Sequence, residues 1–297
     1  MIKSRFYDIG GLVMEVIYQS PFFMFDTKGG ADGFKTTQKQ YNWTIQVEHA
    51  ESIDLSNTQL LFEGVRDYQV NIPYKWSIYT RNEFRIVYFE FENHQNIKRG
   101  TAALNFDEKS VSVSLELVHN EVFALDPFFH PLGVLILTEV INDSNGFLIH
   151  ASGVNDLGKG YLFSAVSGTG KSTMANLWAR KGATIINDDR LIVRSSTEGE
   201  FSVYNTPMPY YQDDGKCAPL KACFLLKQSS ENYMTRLSEV HSVLGLMGNC
   251  IQHLYDQSRI ENHMMLIQGL VHACDVFEVG FKPDTDIVDF IRSEIGD

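Results

Sequence analysis

Residues 146–194 read GFLIHASGVNDLGKGYLFSAVSGTGKSTMANLWARKGATIINDDRLIVR. At the centre stands Ser167-Gly168-Thr169-Gly170-Lys171-Ser172-Thr173, the pattern of a phosphate-binding loop. The apolar run Gly160-Tyr161-Leu162-Phe163 predicts a strand leading in. Ser172–Arg180 predicts a helix leading out, stopped by Gly182. That order of strand, glycine loop and helix is the context in which a Gly-Lys-Ser motif has its meaning. Glycines let the backbone turn its N–H groups onto phosphate oxygens, and the helix start adds the positive end of its dipole. In such a loop Lys171 reaches the β- and γ-phosphates of ATP, and the Ser172 hydroxyl sits on Mg²⁺. Ala165 stands where the pattern has its first glycine; alanine is harmless there unless the position needs positive φ.

Two more features flank the loop. Thr184-Ile185-Ile186-Asn187 is a β-branched run that ends in Asp188-Asp189, the make-up of a strand end that holds Mg²⁺. Asp188 follows Lys171 by 17 positions, so the carboxylates fall on the strand directly after the loop helix. G proteins and motor ATPases place further elements in that interval, and no Asn-Lys-x-Asp guanine signature is found. His150, in Phe147-Leu148-Ile149-His150-Ala151, precedes the loop by a hairpin whose turn is expected at Asn155–Lys159. Taken alone, a histidine at a strand end is a packing residue.

Together these elements resemble HPr kinase/phosphorylase, the bacterial serine kinase family that shares its core with phosphoenolpyruvate carboxykinases. That family shows a His before a hairpin, a Ser-Gly-x-Gly-Lys-Ser loop, a helix ending near a Gly, and a strand ending Asp-Asp-Arg. The corresponding residues are His150, Ser167–Ser172, Gly182 and Asp188-Asp189-Arg190. The resemblance implies active-site positions for His150, Lys171 and Asp188, and a magnesium ligand at Ser172. The family's Glu-Val/Ile-Arg-Gly signature is absent, which argues against HPr as the substrate. The chain is more like the divergent HPr-kinase-like proteins, some of which phosphorylate other serine-bearing peptides, lasso-peptide precursors among them.

The expected fold class is mixed α/β. A β-rich domain over 1–125, a candidate for substrate recognition, precedes a catalytic domain over 126–297 with the phosphoenolpyruvate carboxykinase-like core that the resemblance implies. Val13–Ile17, Trp43–Glu48, Tyr68–Ile72, Trp76–Tyr79, Phe84–Phe91 and Val111–Leu117 are rich in β-branched and aromatic residues and predict strands. Lys28–Gly33, Thr80–Glu83 and Asn93–Gly100 predict the turns between them, in an antiparallel sheet or sandwich. Asp126–Pro131 marks the boundary, and Leu132–Asn142 predicts a helix. Beyond Asp189 the strand is expected to continue through Leu191-Ile192-Val193. Asn205–Pro219 reads as an irregular loop whose Asp213 or Asp214 is a candidate for the missing signature Glu. Ser238 to about Gln257, Glu261–His272 and Thr285–Ile295 predict helices, the last capped by Asp284. Ala222–Leu226 and Asp275–Phe281 predict strands.

Composition narrows the partners. The 297 residues carry a net charge of −12 with a pI near 5.2, which argues against a nucleic-acid or membrane-surface partner. Cys217, Cys223, Cys250 and Cys274 show no Cys-x-x-Cys spacing and read as reduced thiols of a cytoplasmic protein. The N-terminus lacks the apolar core of a signal peptide, and Leu132–Leu137 is too short to span a bilayer.

The reading that follows is an ATP-dependent phosphotransferase acting on a serine hydroxyl of a peptide or protein. In it Lys171 and Mg²⁺ neutralise the β/γ oxygens, Asp188 accepts the hydroxyl proton, and Asp189 helps Ser172 hold Mg²⁺. His150 orients Asp188 or adds positive charge. The rivals are a nucleotide-binding regulatory protein without an acceptor, a carboxykinase-like decarboxylating enzyme, and a small-molecule kinase acting on free serine. A homo-oligomer is left open.

Overall fold

The computed structural model describes residues 3–64, 73–207, 217–253, 255 and 257–296. The expected strand at Tyr68–Ile72 and the candidates Asp213 and Asp214 lie outside them. The described chain is mixed α/β and divides into two units. One takes residues to Glu139 together with Pro207, His253 and Tyr255; the other takes 140–206, 217–252 and 257–296.

The first unit is built from β1 (Lys3–Ile9), β2 (Leu12–Tyr18), β3 (Phe23–Phe25), β4 (Trp43–His49) and β5 (Gln59–Glu63). It continues with β6 (Tyr74–Arg81), β7 (Phe84–Phe91), β8 (Ile97–Asn105), β9 (Ser110–Leu117) and β10 (Phe123–Leu125). Eight of these form one sheet in the order β1-β2-β4-β9-β8-β7-β6-β5. The joins β2–β4 and β4–β9 are parallel and the rest antiparallel, so the sheet is mixed where an antiparallel one was expected. Period-two burial holds where the pattern was clear: Trp43, Ile45 and Val47 on β4 are buried while Gln46 and Glu48 point out. Asn93–Gly100, expected as a turn, gives way to β8 from Ile97, because Ile97, Gly100 and Ala102 face the core. β10 and β3 pair as a short parallel ribbon. The Tyr18 hydroxyl donates to the Leu125 carbonyl at 2.7 Å, and its ring stacks on Phe25, which fastens the ribbon to the large sheet. An open cleft of about 850 Å³ lies beside the end of β4, lined by Glu51, Lys98, Glu116, His119 and Glu121 among others.

Helix α1 (Leu132–Asp143) follows, and the division between units falls within it. The second unit contains β11 (Gly146–Asp156), β12 (Lys159–Ser164), α2 (Lys171–Arg180), β13 (Thr184–Asn187), β14 (Arg190–Ser195) and β15 (Phe201–Tyr204). After these come β16 (Cys217–Gln228), β17 (Tyr233–Arg236), α3 (Glu239–Met247), β18 (Cys250–Ile251), α4 (Gln257–Ala273), β19 (Asp275–Phe281) and α5 (Asp286–Ile295). The sheet order is β12-β11-β14-β15-β16-β19-β17, and β12 also pairs with β16. β12, β11, β14, β15 and β16 therefore close into a ring. β11 is the strand that holds it together, pairing with β12, β13, β14 and β18. Trp178 of α2 is fully buried against Tyr161 and Phe163 of β12, which seats the helix on the sheet. Arg292 of α5 grips Asp156 through two hydrogen bonds, at 2.9 and 2.7 Å.

The helix expected from Ser238 to Gln257 is cut short. α3 ends at Met247 with Gly248 as its C-cap, and Cys250-Ile251 turns to pair with Leu148-Ile149 of β11. The sheet takes the backbone groups that a longer helix would have used, and Val240 and Leu244 of the supposed inner stripe are exposed. The next helix begins at Gln257, ahead of the expected Glu261. Among the described residues no helix is long and apolar enough to cross a membrane.

Candidate active site

The phosphate-loop reading depends on a strand that stops and a helix that starts. β12 ends at Ser164; Ala165 is buried, and Val166, Ser167 and Gly168 are exposed. Gly168 (φ 82) and Gly170 (φ 117) lie in the left-handed region that glycine tolerates. At Gly170 a Cβ would also come within 3.0 Å of the Phe281 ring. Gly170 is the N-cap of α2 and supplies no side-chain cap, so the first-turn N–H groups of Lys171, Ser172 and Thr173 keep their donor capacity. Ser172 and Thr173 are exposed and Thr169 is half-buried, on the same turn. The Gln228 amide, at the end of β16, donates to the Gly168 carbonyl at 3.3 Å and steadies the loop crest.

Lys171 is buried. Its Nζ donates to the carbonyls of Ala165 at 2.9 Å and Val166 at 3.4 Å, and its own carbonyl accepts from Ser152 Oγ at 2.9 Å. Burial lowers its pKa, and Asp189 opposes the shift. An ammonium held only by neutral carbonyls, beside uncapped helix N–H groups, suits an anionic oxygen. These residues fit a nucleotide polyphosphate.

His150 at the β11 midpoint, Asp189 and Arg190 complete the cluster. His150 Nε2 stands 3.5 Å from Asp189 Oδ1, and Arg190 Nε stands 3.4 Å from Asp189 Oδ2. Burial and the positive charges of Lys171 and Arg190 lower the His150 pKa against the pull of Asp189. The ring is therefore mainly neutral at pH 7, and it faces Asp189 where the sequence reading had it orienting Asp188. Asp188 is half-buried and has no hydrogen-bond or ion-pair partner among the described residues. Among the described residues no three His, Cys, Asp or Glu side chains converge as a metal cluster. A Mg²⁺ site fits that arrangement only if phosphate and water supply most ligands, with Ser172 and Asp189 adding one or two.

The strand expected to run on through the two aspartates is interrupted there. β13 and β14 both pair with β11, and a bulge at Gly153/Val154 brings Gly153 opposite Asn187. Asn187 Oδ1 then accepts the N–H groups of Asp189 at 2.8 Å and Arg190 at 3.1 Å, which turns the chain out of the ladder. Asn187, Ser152 and Gln228 carried no assignment in the sequence. For Asn187 a signal existed: asparagine ahead of two aspartates at a strand end is a turn former.

Other candidates lie elsewhere. Arg236 is paired with Asp275, His241 with Ser238, and His272 with Glu239. His253 is buried on Glu139, and His263 is buried against Phe147. The four cysteines are free.

No family model and no curated protein matches the chain. Among solved structures, the Hpr(Ser) kinase/phosphatase from Coxiella burnetii aligns over 50% of this chain and 97% of its own, with 9% identity and a TM-score of 0.29. A TM-score that low leaves function to be argued from the site's own residues.

Proposed function

We propose that the second unit binds ATP and transfers its γ-phosphoryl group to a serine hydroxyl of a peptide or protein. The observation that carries this reading is the placement of Lys171, under an uncapped helix start, in one electrostatic cluster with His150 and Asp189. The loop N–H groups and Lys171 hold the β- and γ-phosphates. Ser172 and Asp189 hold magnesium, which when bound neutralises charge on the same oxygens. Asp188, without a partner among the described residues, is the carboxylate open to an incoming hydroxyl and takes its proton. As the serine oxygen bonds to the γ-phosphorus, the bond to the bridging oxygen breaks and ADP leaves. His150, its pKa lowered by burial and by the neighbouring positive charges, faces Asp189 mainly as a neutral ring.

The absent Glu-Val/Ile-Arg-Gly signature favours a second reading, a nucleotide-binding switch with no acceptor. Transfer of labelled γ-phosphate with Mg²⁺, tried on serine peptides, free serine and lysate, separates them. A labelled acceptor that disappears in Lys171→Ala establishes the kinase and its substrate class. Tight ATP binding with no labelled acceptor moves the assignment to the switch.

A further inference from the structure

Asn187 is fully buried and uses both ends of its amide. Oδ1 accepts from the N–H groups of Asp189 and Arg190. Nδ2 donates to Asn205 Oδ1 at 2.7 Å and to Thr206 Oγ1 at 3.4 Å. Asn205 Oδ1 also accepts the Thr206 N–H at 2.8 Å, and the Thr206 hydroxyl donates to the Arg190 carbonyl at 3.0 Å. Asn205 and Thr206 are themselves buried. The far side of the turn is pinned by the Ala151 N–H donating to the Asp189 carbonyl at 3.1 Å. The backbone of Asp189-Arg190 is thus held at both N–H groups and both carbonyls: the ladder places Arg190 opposite His150, and the buried amides supply the rest.

We propose that Asn187 is the positioning residue of this site: through Asn205 and Thr206 it fixes the Asp188-Asp189 turn, so that Asp189 faces Lys171 and His150 and Asp188 is left free. The side chain must accept on one end and donate on the other, and only an amide of this length does both. Aspartate keeps the turn acceptor, loses the donor to Asn205 and places a third negative charge behind the pair. Leucine keeps the volume and loses every bond, leaving two N–H groups unmet. The loop's own bonds, from Lys171 Nζ to the Ala165 and Val166 carbonyls and from Gln228 to the Gly168 carbonyl, involve none of Asn187, Asn205 and Thr206, so the loop's hold on the phosphates depends on Asn187 less than the position of Asp189 does. The catalytic part of the inference rests on the proposed kinase reading; the structural part does not.

The test uses the whole chain and three variants, Asn187→Asp, Asn187→Leu and the milder Thr206→Val, which spares the bond between Asn187 and Asn205. Amide hydrogen exchange is read at Asp189 and Arg190, and phosphoryl transfer is separated into kcat and nucleotide KM. Expected is a loss of protection at those two amides of about tenfold or more in Asn187→Leu, which removes their acceptor, and a smaller loss in Asn187→Asp, which keeps it. It is accompanied by a fall in kcat of roughly 10–10²-fold, with nucleotide KM within about threefold, since a displacement of about 1 Å in a catalytic group costs that much. Thr206→Val shows a smaller effect in the same direction. Wild-type protection at both amides in folded Asn187→Leu, or wild-type kcat in folded Asn187→Asp and Thr206→Val, overturns the inference. If the wild type itself transfers no phosphoryl group, the kinase reading fails alone, and the exchange result still decides whether Asn187 holds the turn.

Discussion

Glu116 of the first unit and Asp189 of the second are carboxylates that each stand beside two basic groups, and they are held in opposite ways. Glu116 is buried and its oxygens are fully used: Lys98 Nζ at 2.8 Å, Arg99 Nε at 2.6 Å and the Ile53 N–H at 3.3 Å. Burial works to raise its pKa, but the hydrogen bonds from Arg99 and Lys98 outweigh it and hold the group at about 2. Asp189 has its partners at 3.5 and 3.4 Å, is about one-third exposed, and faces a lysine whose own bonds go only to neutral carbonyls. A charge whose oxygens are met by close donors is part of the scaffold. A charge held in place by its backbone, with its oxygens under-coordinated, has capacity left for a cation.

Four measurements test the contrast between the two carboxylates and the units that carry them. Lys171→Ala should show the largest effect, with transfer down by about 10³-fold or more and nucleotide binding lost in calorimetry. Retained binding would mean that the loop is a turn and nothing else. Asp188→Asn should leave binding unchanged and lower the transfer rate by roughly 10²–10⁴-fold. Unchanged turnover would remove it as the base.

The third measurement is acid stability. His263 is buried in the second unit, its Nε2 has no partner among the described residues, and burial lowers its pKa to about 4. The unfolded chain therefore binds that proton first, near pH 6.5. Stability from this group is present above pH 6.5 and falls by about 3 kcal/mol as pH drops to 4. Glu116 also has a depressed pKa, so its contribution is present above about pH 4.5 and is lost as pH falls toward 2. In a pH series of denaturant melts the window set by His263 should thus lie at higher pH than the window set by Glu116. His263→Phe, if it flattens the upper window, assigns that window to the histidine. The smallest effect is expected from Glu116→Gln, a loss of about 1–2 kcal/mol because Lys98 and Arg99 stay partly hydrated. Phosphoryl transfer should be unaffected, and a large activity loss would erase the contrast between the two carboxylates.

Much of this fold was legible where the physical signal is local. The strand at Asp275–Phe281, the helix from Leu132 and the strand-loop-helix around Lys171 follow from periodicity and glycine placement. β1, β5 and β17 escaped notice because their residues are half-exposed and lack a clean alternation. The helix predicted from Ser238 overruns α3 because the apolar spacing runs on past Gly248. What stops it is a distant strand, β11, claiming Cys250 and Ile251. The site shows the same split. Its charged members announce themselves by type and spacing. The contact of His150 with Asp189, and the amide bonds of Asn187 to Asn205 and Thr206, depend on pairings that no local pattern encodes.

The ring formed by β12, β11, β14, β15 and β16 bears on how this unit would fail. Strands in a closed ring present no unpaired edge, so the segments leading into the loop and out of the acid turn are shielded from pairing with other chains. They are also among the most apolar in the chain, with Leu148, Ile149, Leu162, Phe163, Leu191, Ile192 and Val193 fully or almost fully buried. Opening the ring at any one seam would expose two such edges at once. Thermal inactivation should therefore end in aggregation, and the useful measure of this unit's durability is a half-life at temperature.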